Sequence, residues 1–121
     1  SLEGRAESSA IASAPGAPIT DALAPGLAAH PGLCGFYALS DGLDAFAARI
    51  ALIDAASRTL DAQYYIWHDD VTGRLTFDAL LRAAERGVRV RLLLDDNNTA
   101  GLDPLLAALD AHPGIEVRLF N

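Results

Sequence analysis

Between Leu60 and Asn98 the apolar positions change period three times. Leu60, Ala62, Tyr64 and Ile66 alternate with Gln63, Tyr65 and Trp67, which predicts a strand presenting the two sets on opposite faces. Phe77, Leu80, Leu81 and Ala84 then recur at i, i+3, i+4, i+7 and mark one stripe of an amphipathic helix. Asp78, Arg82, Glu85 and Arg86 fall opposite, and Gly87 supplies a residue able to turn left-handed after the last turn. The run Val88 to Leu94 begins half polar at Arg89 and Arg91 and becomes wholly apolar, as buried parallel strands do. It stops on Asp95-Asp96-Asn97-Asn98. Strand, helix and strand with a crossover of this length make a parallel βαβ unit.

The same reading extends outward. Residues 1–26, rich in Ala, Ser, Pro and Gly without sustained period, read as a flexible leader, and residues 27–121 as α/β. Ala22 to Ala29 predicts a short helix interrupted at Pro25-Gly26, and Gly35 to Leu39 a short strand. Ser40 or Asp41 caps the next helix, whose stripe is Leu43, Phe46, Ala47, Ile50 and Ile53 and which ends near Ser57. After the acidic turn, Asp103-Pro104 reads as N-cap and first helical residue, with Leu105, Leu106 and Leu109 facing inward. His112-Pro113-Gly114 ends that helix, and Ile115 to Phe120 alternates as a final strand. The order βαβαβαβ predicts an α/β fold, a largely parallel sheet with helices on both faces.

Composition narrows the function classes. A chain of 121 residues with 51% hydrophobic and 21% charged residues suits one globular domain. Its net charge of −7 argues against this chain binding nucleic acid or an anionic membrane surface by itself. Cys34 is the single cysteine, so no internal disulfide forms. Its upstream residues lack the small residue and apolar run of a lipid-attachment site, which leaves a buried or semi-buried structural thiol. No run reaches the roughly 18 apolar residues of a spanning helix, and no signal peptide is visible.

Candidate chemistry gathers where open parallel sheets collect ligands, beyond the carboxyl ends of the strands. Two loops fall there, Trp67-His68-Asp69-Asp70 and Asp95-Asp96-Asn97-Asn98-Thr99. His68 beside two aspartates suits a general base or a metal ligand, or simply a polar loop with Asp70 or Thr72 capping the helix. One histidine with sequence-adjacent neighbours lacks convergent metal-ligand spacing. Asp95-x-Asn97-x-Thr99 is one substitution from the motif of magnesium-dependent haloacid dehalogenase-type phosphatases, with Asp95 as nucleophile. Asn97 stands there in place of the acid–base aspartate and cannot transfer a proton. The plainer reading is a turn, because Asp and Asn bond nearby backbone. Tyr65 and Trp67 at the strand end are either core or the lining of a headgroup cleft.

The segments QYYIW and RVRLLLDDNNT, within a stretch running from about Gly26 to Asn121, resemble the N-terminal portion of phospholipase D superfamily proteins. The likeness is to bacterial cardiolipin synthases with two catalytic half-domains. It implies a phospholipid substrate, phosphatidyl transfer without cofactor or metal, and a bacterial inner-membrane-associated or periplasmic location. The superfamily signature, His-x-Lys followed after four residues by Asp, is absent: the chain has no lysine. No catalytic residue is therefore expected here, and Tyr65, Trp67, His68, Asp95 and Asn97 are expected at a cleft rim. Proteins of this kind continue past Asn121 into the strands that bear the signature. The expected partner is thus the missing C-terminal half of the domain, and an uncovered sheet edge predicts self-association. A non-catalytic α/β interaction domain is the remaining alternative.

Overall fold

A computed structural model describes residues 7–121. Three parallel strands, β1 (Thr59–Tyr64), β2 (Arg89–Asp95) and β3 (Ile115–Phe120), form a sheet in the order β1-β2-β3. Leu60 pairs with Val90 and Val90 with Ile115, so one face carries Leu60, Ala62 and Tyr64 beside Val90, Leu92 and Leu94, then Ile115 and Val117. Four helices accompany them: α1 (Pro18–Ala29), α2 (Gly42–Ala55), α3 (Val71–Glu85) and α4 (Asp103–Asp110). The crossovers α3 and α4 place Phe77, Leu80, Ala83, Leu106 and Leu109 in one core with that face. α2 packs on α3 and adds Ile53. Leu80, Val88, Val90, Leu92 and Leu94 have almost no exposed surface.

Local chemistry sets the element ends. Asp70 caps α3 by accepting from the Gly73 amide at 2.8 Å, and Asp41 caps α2 by accepting from Leu43 and Asp44 at 2.9 and 3.0 Å. Gly87 sits at φ +89°, its amide donating to the Ala84 carbonyl while Val88 donates to Ala83, a left-handed stop that turns the chain into β2. The expected stripe of α3 holds, with Phe77, Leu80 and Ala84 buried and Leu81 half-buried. In α2 only Ile53 is buried, Phe46 and Ile50 are half-buried, and Leu43 is 76% exposed.

Five expectations are corrected. Cys34, expected as a buried or semi-buried thiol, is exposed, because residues 31–41 around it pack against no other element closely enough to cover them. Gly35 to Leu39 is not a strand; it runs free of the sheet with Phe36 94% exposed, so the order opens on two helices. Alternation over five residues makes a strand only where a ladder partner takes its amides and carbonyls. The helix expected from Ala22 instead starts at Pro18 and runs through Pro25 to Ala29, so the expected leader boundary at residue 26 falls inside it. Pro18 favours that start, its fixed φ suiting a first helical position. Helices on both faces were expected from element order, yet α3 and α4 share one. Successive strands lie side by side, and right-handed crossovers that advance in one direction land on the same side. The opposite face, with Asp61, Gln63, Arg91, Leu93, Glu116 and Arg118, carries no helix among the described residues. Finally, α4 includes Asp103 as its first residue, with Leu102 as an N-cap that makes no side-chain bond. No described helix is long and apolar enough to cross a membrane.

Candidate functional site

The register aligns Tyr64 with Leu94 and Asp95 with Phe120, which brings the loops after β1 and β2 and residue Asn121 to one edge of the sheet. The two loops singled out from the sequence therefore do share the carboxyl edge.

In the first loop β1 ends at Tyr64, three residues earlier than the alternation through Trp67 suggests. Ile66 is consequently half out in solvent, and Trp67 turns away from the Gln63 side into the core. Its ring stacks on Phe77 at 4.4 Å between centroids and meets the edge of Tyr64 at 4.6 Å. Trp67 is only 6% exposed, and its Nε1–H, also buried, has no acceptor. Tyr65 is 72% exposed and His68 is exposed. Asp69 makes a two-point pair with Arg74, at 2.6 and 3.0 Å. That hydrogen-bonded guanidinium holds the Asp69 carboxyl below its ordinary range. Asp70 is lowered as well, first by the Gly73 amide and then by the Thr72 hydroxyl at 2.8 Å.

The second loop is a single 3-10 turn, Asp96–Asn98. Asp95 is 5% exposed and both its oxygens are engaged. Oδ1 accepts from the Asn97 amide at 2.9 Å, and Oδ2 accepts from Asn121 Nδ2 at 3.0 Å. Thr99 is buried, its hydroxyl donating to the Asp96 carbonyl at 3.0 Å. Asp95 thus staples the turn to the end of the sheet, an arrangement that gives the phosphatase reading no support. No group of three metal-ligating side chains exists among the described residues.

A cleft of about 270 Å³ opens beside the first loop, between α2 and the start of α3. Arg49, Ile66, His68, Asp70 and Thr72 line it, with Gly73 at its base. A Cβ on Gly73 would stand 2.1 Å from the His68 carbonyl oxygen and 2.8 Å from Trp67 Nε1, so only glycine lets α3 approach the loop this closely. Sequence reasoning missed Arg49 and Gly73. The available signal was a glycine three residues after a capping aspartate. It missed the Asn121–Asp95 bond too, since nothing local relates positions 26 apart. His68 and Trp67 line one cleft, while Asp95 and Asn97 belong to the neighbouring turn.

A three-stranded parallel sheet with crossover helices and polar loops on its carboxyl edge defines the chain as an α/β domain. The family model described as "Cardiolipin synthase, PLD-like domain" matches residues 50–120, more than half of the sequence, and the chain belongs to that family. It is 63% identical over 103 residues to "Cardiolipin synthase C" of Escherichia coli K12, a match covering 85% of this chain and 22% of that protein. It is 34% identical over 82 residues to "Cardiolipin synthase A" of Pseudomonas entomophila, covering 68% of this chain and 17% of that one. The chain thus spans about a fifth of the curated relatives it matches. Among solved structures, the archaeal chromatin protein TrmBL2 superposes with a TM-score of 0.51 at 15% identity, over 84% of this chain and 40% of that one. That likeness concerns the fold alone.

Proposed function

We propose that this chain is the N-terminal portion of a phospholipase D-type phosphatidyl transferase and is catalytically incomplete by itself. The observation that carries the reading is 63% identity to a cardiolipin synthase across 85% of a chain that contains no lysine. In the complete protein, one signature histidine attacks the phospholipid phosphorus and a second protonates the departing alcohol. The signature lysines hold the non-bridging oxygens as charge develops, and a second lipid's hydroxyl accepts the phosphatidyl group. Residues from about 27 onward supply part of the sheet. Tyr65, His68 and Asn97 stand at the rim of the lipid cleft, and Trp67 supports the rim from beneath. Exposure of Tyr65 and His68 at the carboxyl edge, above a buried Trp67, favours this assignment. The complete enzyme works in association with the bacterial inner membrane or in the periplasm.

Two measurements test the reading. The purified 121-residue chain is expected to turn over no phosphatidylglycerol, and turnover by a clean preparation would refute incompleteness. The full-length protein is expected to form cardiolipin with chelator present and to lose that activity when either signature histidine is replaced. Survival of activity through both replacements, or its loss on chelation alone, would refute the mechanism.

A further inference from the structure

The face of the sheet without helices is charged rather than apolar. Asp61, Arg91 and Glu116 lie side by side across the three strands, with Gln63, Leu93 and Arg118 as the next row. Arg91 holds Asp61 in a two-point pair at 2.7 and 2.5 Å. These residues line a hollow of about 290 Å³, and one further wall comes from far away in sequence: Ser8.

Residues 8–12 meet this side of the molecule through their main chain. Arg91 Nη1 donates to the Ser8 carbonyl at 3.2 Å, Arg89 Nη2 to the Ser9 carbonyl at 2.9 Å, and Arg58 Nη1 to the Ala12 carbonyl at 3.1 Å. Arg91 also reaches the Ser8 hydroxyl, which in turn donates to Glu116 at 3.4 Å. Three guanidinium groups, two from β2 and one from the turn before β1, therefore grip three carbonyls within five residues. The segment contributes no buried side chain in return.

We propose that residues 8–12 are a strap across the amino-terminal end of the helix-free face of the sheet, latched by Arg58, Arg89 and Arg91 through main-chain carbonyls. Three features support a latch rather than incidental contact. The bonds are spaced along the segment, so they fix its direction as well as its position. Charged donors make them stronger than neutral hydrogen bonds. They also read no side chain of the strap except Ser8, so the latch depends on the arginines and tolerates changes in the strap. Because the strap buries no side chain completely, Ile11 being 44% exposed, the latched state rests largely on these few bonds and is readily displaced. A sheet covered on both sides takes a helix layer where this strap lies, so closure and docking of another element on that face exclude one another. The inference is independent of the enzymatic reading and needs no activity to test.

The test is cleavage of the 121-residue chain by an elastase-type protease, with the cuts after Ala10 and Ala12 followed by mass spectrometry. A synthetic peptide of residues 7–14 gives the unlatched rate. The parent chain is expected to be cut at these sites at least tenfold more slowly than the peptide. The Arg89→Gln/Arg91→Gln variant is expected to approach the peptide rate. Since Arg91 also pairs with Asp61, the double change bears on the sheet, so Arg58→Gln provides a second variant that touches only the latch. It is expected to speed cutting after Ala12 severalfold with an unchanged circular-dichroism spectrum. Parent cleavage at the peptide rate, or equal rates in parent and Arg58→Gln, would overturn the proposal.

Discussion

Trp67 sits between Tyr64 and Phe77 with an indole N–H that no acceptor meets. A buried unpaired donor costs free energy, yet the ring's stacking and burial outweigh it. Trp67→Ala is expected to destabilise by about 3–5 kcal/mol, as large aromatic truncations do, whereas Trp67→Phe removes the orphan donor and costs distinctly less. Denaturant titration of the two variants checks the ranking, and equal losses would contradict it. Charge acts at the same scale. Asp70 and Asp61 have folded pKa values below their unfolded ones, Asp70 through the Gly73 amide and Asp61 through its bond from Arg91. A depressed carboxylate contributes stability that is present above its unfolded pKa and lost as pH falls through the folded one. The chain should therefore lose melting temperature as pH falls below about 4, the ordinary carboxylate range. Asp70→Asn keeps a capping oxygen but no charge, so the gap between parent and variant should close across that window. A gap constant with pH would show that the charge contributes nothing.

Among the elements, α3 depends on one glycine. A methyl group at Gly73 runs into the His68 carbonyl, which is backbone and cannot rotate away. Gly73→Ala should thus cost about 1–3 kcal/mol by overpacking, despite the better helix propensity of alanine. Thermal melts will decide, and an unchanged or raised melting temperature would mean that the loop gives way freely. The helix itself was legible in the sequence because fifteen residues repeat one period between a cap and a left-handed glycine. β2 was legible for a similar reason, since an apolar run closed by acids leaves little choice. Shorter signals misled. Gly35 to Leu39 has a strand's alternation but no neighbour to pair with among the described residues, and Trp67 continues the sequence alternation of β1 three residues after the strand has ended. At the candidate site, topology placed both loops on one edge correctly, because strand direction alone decides that. It could not say which side chains turn inward, since loop geometry depends on contacts such as Asn121 with Asp95 that have no periodic trace.

The molecule as a whole leaves strand edges and large aromatic side chains open to solvent. Among the described residues β1 and β3 each have a neighbour on one side only, and Phe36 and Tyr37 are 94% and 87% exposed. Open strand edges and exposed aromatic side chains favour association, against which a net charge of −7 supplies some repulsion. The purified chain is expected to sediment as dimers or larger species, more so as salt screens that repulsion. A compact monomer at all concentrations and salt levels would count against this. The strand order has a further consequence, for how the chain is built. Both β2 and β3 pair with the strand synthesised just before them, with a crossover helix lying between. No strand waits for a distant partner, so the contacts that define the sheet are short in sequence and quick to close. Emerging from a ribosome, β2 can zip onto β1 once α3 is out, and β3 onto β2 after α4. The order of translation is then the order of assembly.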